Sequence, residues 1–67
     1  MIILINNIEH SVSHPASISD VLTTLKIENT KGTAIAVNNQ VIPKIEWEKY
    51  NLKENDSITV IRATQGG

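Results

Sequence analysis

Cysteine is missing from all 67 residues, so neither a disulfide nor a thiolate metal site can staple the fold. No side-chain thiol is present to hold sulfur or to attack as a nucleophile. Aromatics are scarce: Trp47 and Tyr50 stand alone, too few for a platform on which nucleic-acid bases could stack. Charge of either sign is in short supply. Six basic residues against seven acidic ones are scattered along the chain, and no basic stripe marks a nucleic acid or anionic lipid as partner. Long apolar runs are lacking too. Met1 to Ile5 has no basic flank and is far too short to cross a bilayer, which argues against a signal peptide and for a cytosolic, cytoplasmic home.

What remains is globular in composition, 40% hydrophobic and 19% charged. A chain of this length reads as one small domain, residues 1–67. It buries only about 60% of its unfolded surface. Without staples it must fold on packing alone, with an expected stability of roughly 3–5 kcal/mol.

The β-branched run Met1 to Ile5 reads as a buried strand, Asn6-Asn7 as a turn, and Ile8 to Val12 as the second strand of a hairpin. His14, before Pro15, is biased away from helix. Ser17 is placed to cap a helix, with Asp20 three residues on in a box-like arrangement. Ile18, Val21, Leu22 and Leu25 then fall on one helical face, which predicts a helix over about 18–26. So short a helix is marginal alone and must dock on a sheet. Residues 28–32 read as a polar loop. Thr33 to Val37 and Gln40 to Ile42 read as strands around an Asn38-Asn39 turn, the second stopped by Pro43. Ile45 to Leu52, with Trp47 and Tyr50, predicts a helical turn. Residues 54–56 read as a turn and Ser57 to Ala63 as the last strand. The order predicts an α+β domain: a mixed sheet of four to five strands with one helix packed across one face. Pairing of the first and last strands in parallel at its centre would make it a β-grasp.

One helix covers only one face of a sheet, yet the expected central strands are apolar on both. Alternation puts Ile3, Ile5, Ile58 and Val60 on the helix side. Leu4 and Ile61, with Ile2, fall on the open face. We expect them to form an apolar patch near the root of the C-terminal segment, suited to docking a partner.

The sequence closes on Ala63-Thr64-Gln65-Gly66-Gly67. A polar end of this kind can be mere fraying. It also reads as a flexible tail, 63–67, able to thread into a narrow site. Glycine adds no side chain beside the Gly67 carboxylate and opens backbone angles closed to other residues. Extended, residues 63–67 reach at most about 17 Å. With no cysteine present, any sulfur chemistry would have to use this carboxylate.

Other constellations are weak. His10 and His14 sit on a strand and a pre-proline loop with no further ligand nearby, so no metal site is expected. Ser11, His14 and Asp20 carry no nucleophile spacing and read as turn and capping residues. Glu46 and Glu48 read as a solvated face beside Lys44 and Lys49. Lys31-Gly32 is too little for a phosphate loop. Trp47 reads as a packing residue whose indole N–H seeks a carbonyl or water.

Taken in order, Ala34-Ile-Ala-Val-Asn38, Val41-Ile-Pro43, Trp47, Asp56 and Gly66-Gly67 resemble the sulfur carrier family of thiamin biosynthesis over essentially the whole chain. Two positions depart from its usual pattern. Lys44 follows the proline where Arg is common, keeping the charge but losing the bidentate fork. Asn55 stands where Gly usually precedes the Asp, and Asn tolerates a left-handed turn.

The resemblance implies a ubiquitin-like β-grasp carrier with no catalytic residues of its own and nothing permanently bound. It implies an activating enzyme of the ubiquitin-activating type that uses ATP and Mg²⁺ to adenylate Gly67. A cysteine desulfurase persulfide would then supply sulfur, leaving a thiocarboxylate that thiazole synthase consumes. Gly66 and Gly67 are the implied sulfur-carrying end. The docking patch read from strand alternation, Leu4, Ile61 and Ile2, is expected to continue into Thr64 and Gln65. A ubiquitin-like protein modifier would use the same Gly-Gly end to form isopeptides. A molybdopterin-type sulfur carrier would share the chemistry but lacks the Trp-containing segment. A passive RNA-contacting module fits poorly with the near-neutral charge.

Overall fold

Two Asn-Asn pairs build the two hairpins. Asn6 and Asn7 take φ of 50° and 69°, and Asn38 and Asn39 take 51° and 69°. Positive φ at both central positions matches the twist of the flanking strands, and Asn reaches this region more readily than most residues. The first pair joins β1 (Ile2–Ile5) to β2 (Ile8–Ser11), with Ile5 opposite Ile8. The second joins β3 (Thr33–Val37) to β4 (Gln40–Ile42), with Val37 opposite Gln40. The computed structural model describes residues 1–27 and 31–62.

Between the hairpins lies α1 (Ile18–Thr24), and its start is the expected one. The Asp20 N–H donates to Ser17 Oγ at 3.1 Å, and the Ser17 N–H donates to Asp20 Oδ2 at 2.9 Å. This reciprocal box satisfies two donors that a helix start otherwise leaves open. Ile18, Val21 and Leu22 are buried and Leu25 is partly so. The helix stops short of Lys26. Lys26 turns left-handed at φ 61°, and its N–H donates to Thr23 O while that of Ile27 donates to Leu22 O, both at 2.9 Å. These two bonds close a helix end that usually carries glycine, and a side chain there costs about 1 kcal/mol.

The last strand, β5 (Ser57–Arg62), enters the middle of the sheet, giving the order β2-β1-β5-β3-β4. It runs parallel to β1 and antiparallel to β3. This mixed five-stranded sheet with one helix is the β-grasp fold, at the upper end of the expected strand number. Ile3, Ile5, Ile35, Val37, Ile42 and Ile58 meet the helix in one core.

Residues 44–50 form the expected helical turn, starting one residue earlier than read from the sequence. A 3-10 turn, Lys44–Glu46, follows Pro43, and the Tyr50 N–H then donates to Glu46 O at 2.9 Å. Trp47 plugs the core beneath it, and its indole N–H donates to Ile42 O at 2.9 Å. Burying an indole without that acceptor would leave a costly unpaired donor.

Candidate functional site

Side-chain alternation puts Ile2 and Leu4 of β1 on the sheet face opposite the helix, together with Thr59 and Ile61 of β5. Ile2 and Ile61 are exposed and Leu4 is half-buried. The shared face agrees with the alternation read from the sequence; the expected patch does not hold together. Leu4 lies level with Ser57, so Ile61 is four residues further along β5, about 13 Å away. Ile2 is further still. Ile2 and Leu4 therefore stand at the end of the sheet remote from the root of the C-terminal segment. The reason is register. The pairing of β1 with β5 ends at Ile5 opposite Ile58, while β5 runs on to Arg62.

The neighbours of Ile61 come instead from the second hairpin. Ala34 is directly opposite Ile61, Ala36 is opposite Thr59, and Val41 is opposite Ala36. Ile61 and Val41 are among the most exposed large apolar side chains described. Sequence reasoning missed Val41 and Ala34. The signal was available: burial of Ile35 and Val37 on the helix side sends Ala34 and Ala36 to the other face, and the tight Asn38-Asn39 turn brings Val41 beside them. Ala34 is half-buried and Ala36 buried, and Val41 lies two strands from Ile61, level with Thr59.

Two asparagine side chains steady the strand that leads to the terminus. Where β5 outruns β1, the Val60 N–H donates to Asn6 Oδ1 at 2.9 Å. At the other end of β5 the Ser57 N–H donates to Asn38 Oδ1 and Asn38 Nδ2 donates to Asp56 Oδ1, both at 3.0 Å. The second Asp56 oxygen accepts the Lys53 N–H at 2.7 Å. Asn38 and Asp56 are thus scaffold residues, tying the second hairpin to the turn before β5. Asn55 precedes Asp56 in a left-handed conformation at φ 69°, as its place in that turn demands.

Gly66 and Gly67, with Thr64 and Gln65, lie outside the described residues. Among the described residues no group of three or more His, Cys, Asp or Glu side chains could hold a metal ion, and no helix is long and apolar enough to cross a membrane.

Comparison with known proteins agrees with this architecture. The model of the ThiS family matches residues 3–67. No curated protein sequence matches. Among solved structures, the crystal structure of the thiamine biosynthesis protein ThiS from Geobacter metallireducens is similar at a TM-score of 0.85, with 17% identity and full coverage of both chains. The NMR solution structure of a thiamine biosynthesis protein from the same organism gives a TM-score of 0.83 at 17% identity, covering all of this chain and 88% of that one.

Proposed function

Because this chain belongs to the ThiS family, we propose that it is a sulfur carrier in thiamin biosynthesis, acting through the carboxylate of Gly67. The observation that carries this reading is the extent of the family match, which runs through Gly66 and Gly67 to residue 67.

A carboxylate resists attack because its carbonyl is electron-rich and its leaving group is oxide. In the proposed sequence a Gly67 oxygen attacks the α-phosphate of ATP, held with Mg²⁺ on a ubiquitin-activating-type enzyme. Pyrophosphate leaves and a mixed anhydride with AMP remains. The terminal sulfur of a persulfide, loaded by a cysteine desulfurase, attacks the carbonyl and expels AMP. A second thiol opens the resulting acyl disulfide, releasing the thiocarboxylate and forming a new disulfide. Thiazole synthase then takes the sulfur. Splitting one hard substitution into easier ones is the general advantage of such covalent steps. The chain itself supplies no catalytic group in this scheme. Its part is to present an unhindered carbonyl on an extended reach and to be recognised.

Recognition falls to the open sheet face. Ile61 and Ala34 form its section at the end of β5, with Val41 on the outer strand level with Thr59. Leu4 and Ile2 extend the same face at its far end. The partner that accepts Gly67 would press on the near section while residues 63–67 enter its active site.

Intact-mass measurement of the protein purified from its own cells tests the reading. Replacement of one oxygen by sulfur at Gly67 is expected. A ladder of conjugates through Gly67 would place the chain with protein modifiers instead. Persistent failure to load with ATP, Mg²⁺, the cognate activating enzyme and a persulfide donor would overturn the carrier reading.

A further inference from the structure

On the helix side of the molecule, a groove of about 580 Å³ runs between α1 and the 3-10 turn. Leu22, Ile27, Ile45 and Trp47 give it an apolar lining, and each wall contributes one lysine: Lys26 from the end of α1 and Lys44 from the 3-10 turn. Ile45 is 86% exposed, more than any other large apolar side chain described. Among the described residues of the lining Glu48 is the single acidic one, against two lysines, although the whole chain is slightly acidic. Among the described residues no carboxylate pairs with either lysine.

Two further facts give the groove a direction. Lys26 occupies the left-handed helix end at φ 61°, where glycine would be easier, so a cation stands at this rim despite a backbone cost. In addition, β4 leaves the sheet at Ile42, which is opposite Ile35, itself opposite Val60. Lys44 therefore stands at the end of the sheet toward which β5 delivers the C-terminal segment. A partner that engulfs that segment can also reach this groove.

We propose that the groove docks an acidic, apolar peptide segment of the activating enzyme: aliphatic side chains against Ile45 and Ile27, and Asp or Glu against Lys26 and Lys44. It is a second contact surface, on the layer opposite the sheet face. The inference rests on the carrier reading. Apolar contact holds such a segment, while the two lysines speed the encounter and fix its orientation.

Isothermal titration calorimetry of the full chain with the activating enzyme of the same organism tests it, at low and high salt. Four variants are compared with the wild type: Lys26→Glu/Lys44→Glu, Lys26→Gln/Lys44→Gln, Ile45→Ser, and Ile61→Asp as a control on the sheet face. Amide NMR spectra establish that each is folded. The charge reversal is expected to weaken binding about tenfold or more, and the glutamine pair by a smaller factor with a reduced salt dependence. Ile45→Ser is expected to weaken it about threefold or more. If Ile61→Asp weakens binding while all three groove variants stay within about twofold of wild type, the groove proposal is overturned and the carrier reading stands. Weakening that ignores salt would refute the acidic segment. Absence of any binding by the wild type would remove the carrier reading and the groove proposal together.

Discussion

Ile58 and Ile61 sit three residues apart on β5 and face opposite ways, which makes them a matched pair for testing how the sheet divides its labour. Ile58 is 1% exposed in the core, and Ile61 is 52% exposed on the open face. Truncating a fully buried isoleucine to alanine costs about 2–5 kcal/mol. A domain of this size holds only roughly 3–5 kcal/mol in total. Ile58→Ala should therefore leave much of the population unfolded at room temperature. Complete burial of an isoleucine is worth about 1.5–3 kcal/mol. Half of the Ile61 surface is already covered, so Ile61→Ala should cost about 1 kcal/mol of stability. The uncovered half remains for a partner, and losing it should raise Kd by about fourfold to tenfold. Urea unfolding followed by the emission of Trp47, the single tryptophan, reads the first quantity. Calorimetric titration with the cognate activating enzyme reads the second. Equal destabilisation by both variants would refute the assignment of faces. An unchanged Kd for a folded Ile61→Ala would refute the docking role.

Deleting Gly67 should leave the circular dichroism spectrum and urea midpoint unchanged while abolishing ATP–pyrophosphate exchange with the activating enzyme; retained exchange would contradict the role of that carboxylate. Asn38→Ala removes two side-chain hydrogen bonds and forces alanine into a left-handed turn, so we expect a loss of about 2–3 kcal/mol in urea melts. Asn38→Gly, which accepts the turn but not the bonds, should recover about 1 kcal/mol of that. Ser17→Ala opens the capping box and should lower stability by about 1 kcal/mol, with amide exchange quickening first at Asp20, whose N–H loses its acceptor.

Much of this molecule was legible in its residues because the relevant physics is local. The Ser17 box acts over three residues, and the two Asn-Asn turns over two. The alternation that sends Ile58 inward and Ile61 outward follows from the pleat of a single strand. The fate of the Trp47 indole was likewise readable from its chemistry. Recognition of the Gly66-Gly67 end rested on residue order along the chain and needed no coordinates.

The height of one strand against another was not legible. Pairing of β1 with β5 joins residues more than fifty positions apart, and parity alone says which face a side chain takes, not which neighbours it meets there. Long-range pairing therefore separated Ile2 and Leu4 from Ile61 and put Ala34 beside it. The left-handed close at Lys26 depends on a hydrogen bond back to Leu22 that no residue signal announces. The groove beside it exists only because α1 and the 3-10 turn, distant in sequence, share one core through Leu22 and Trp47. Local periodicity and turn chemistry determined the elements and their faces; non-local register and packing decided which exposed side chains became neighbours.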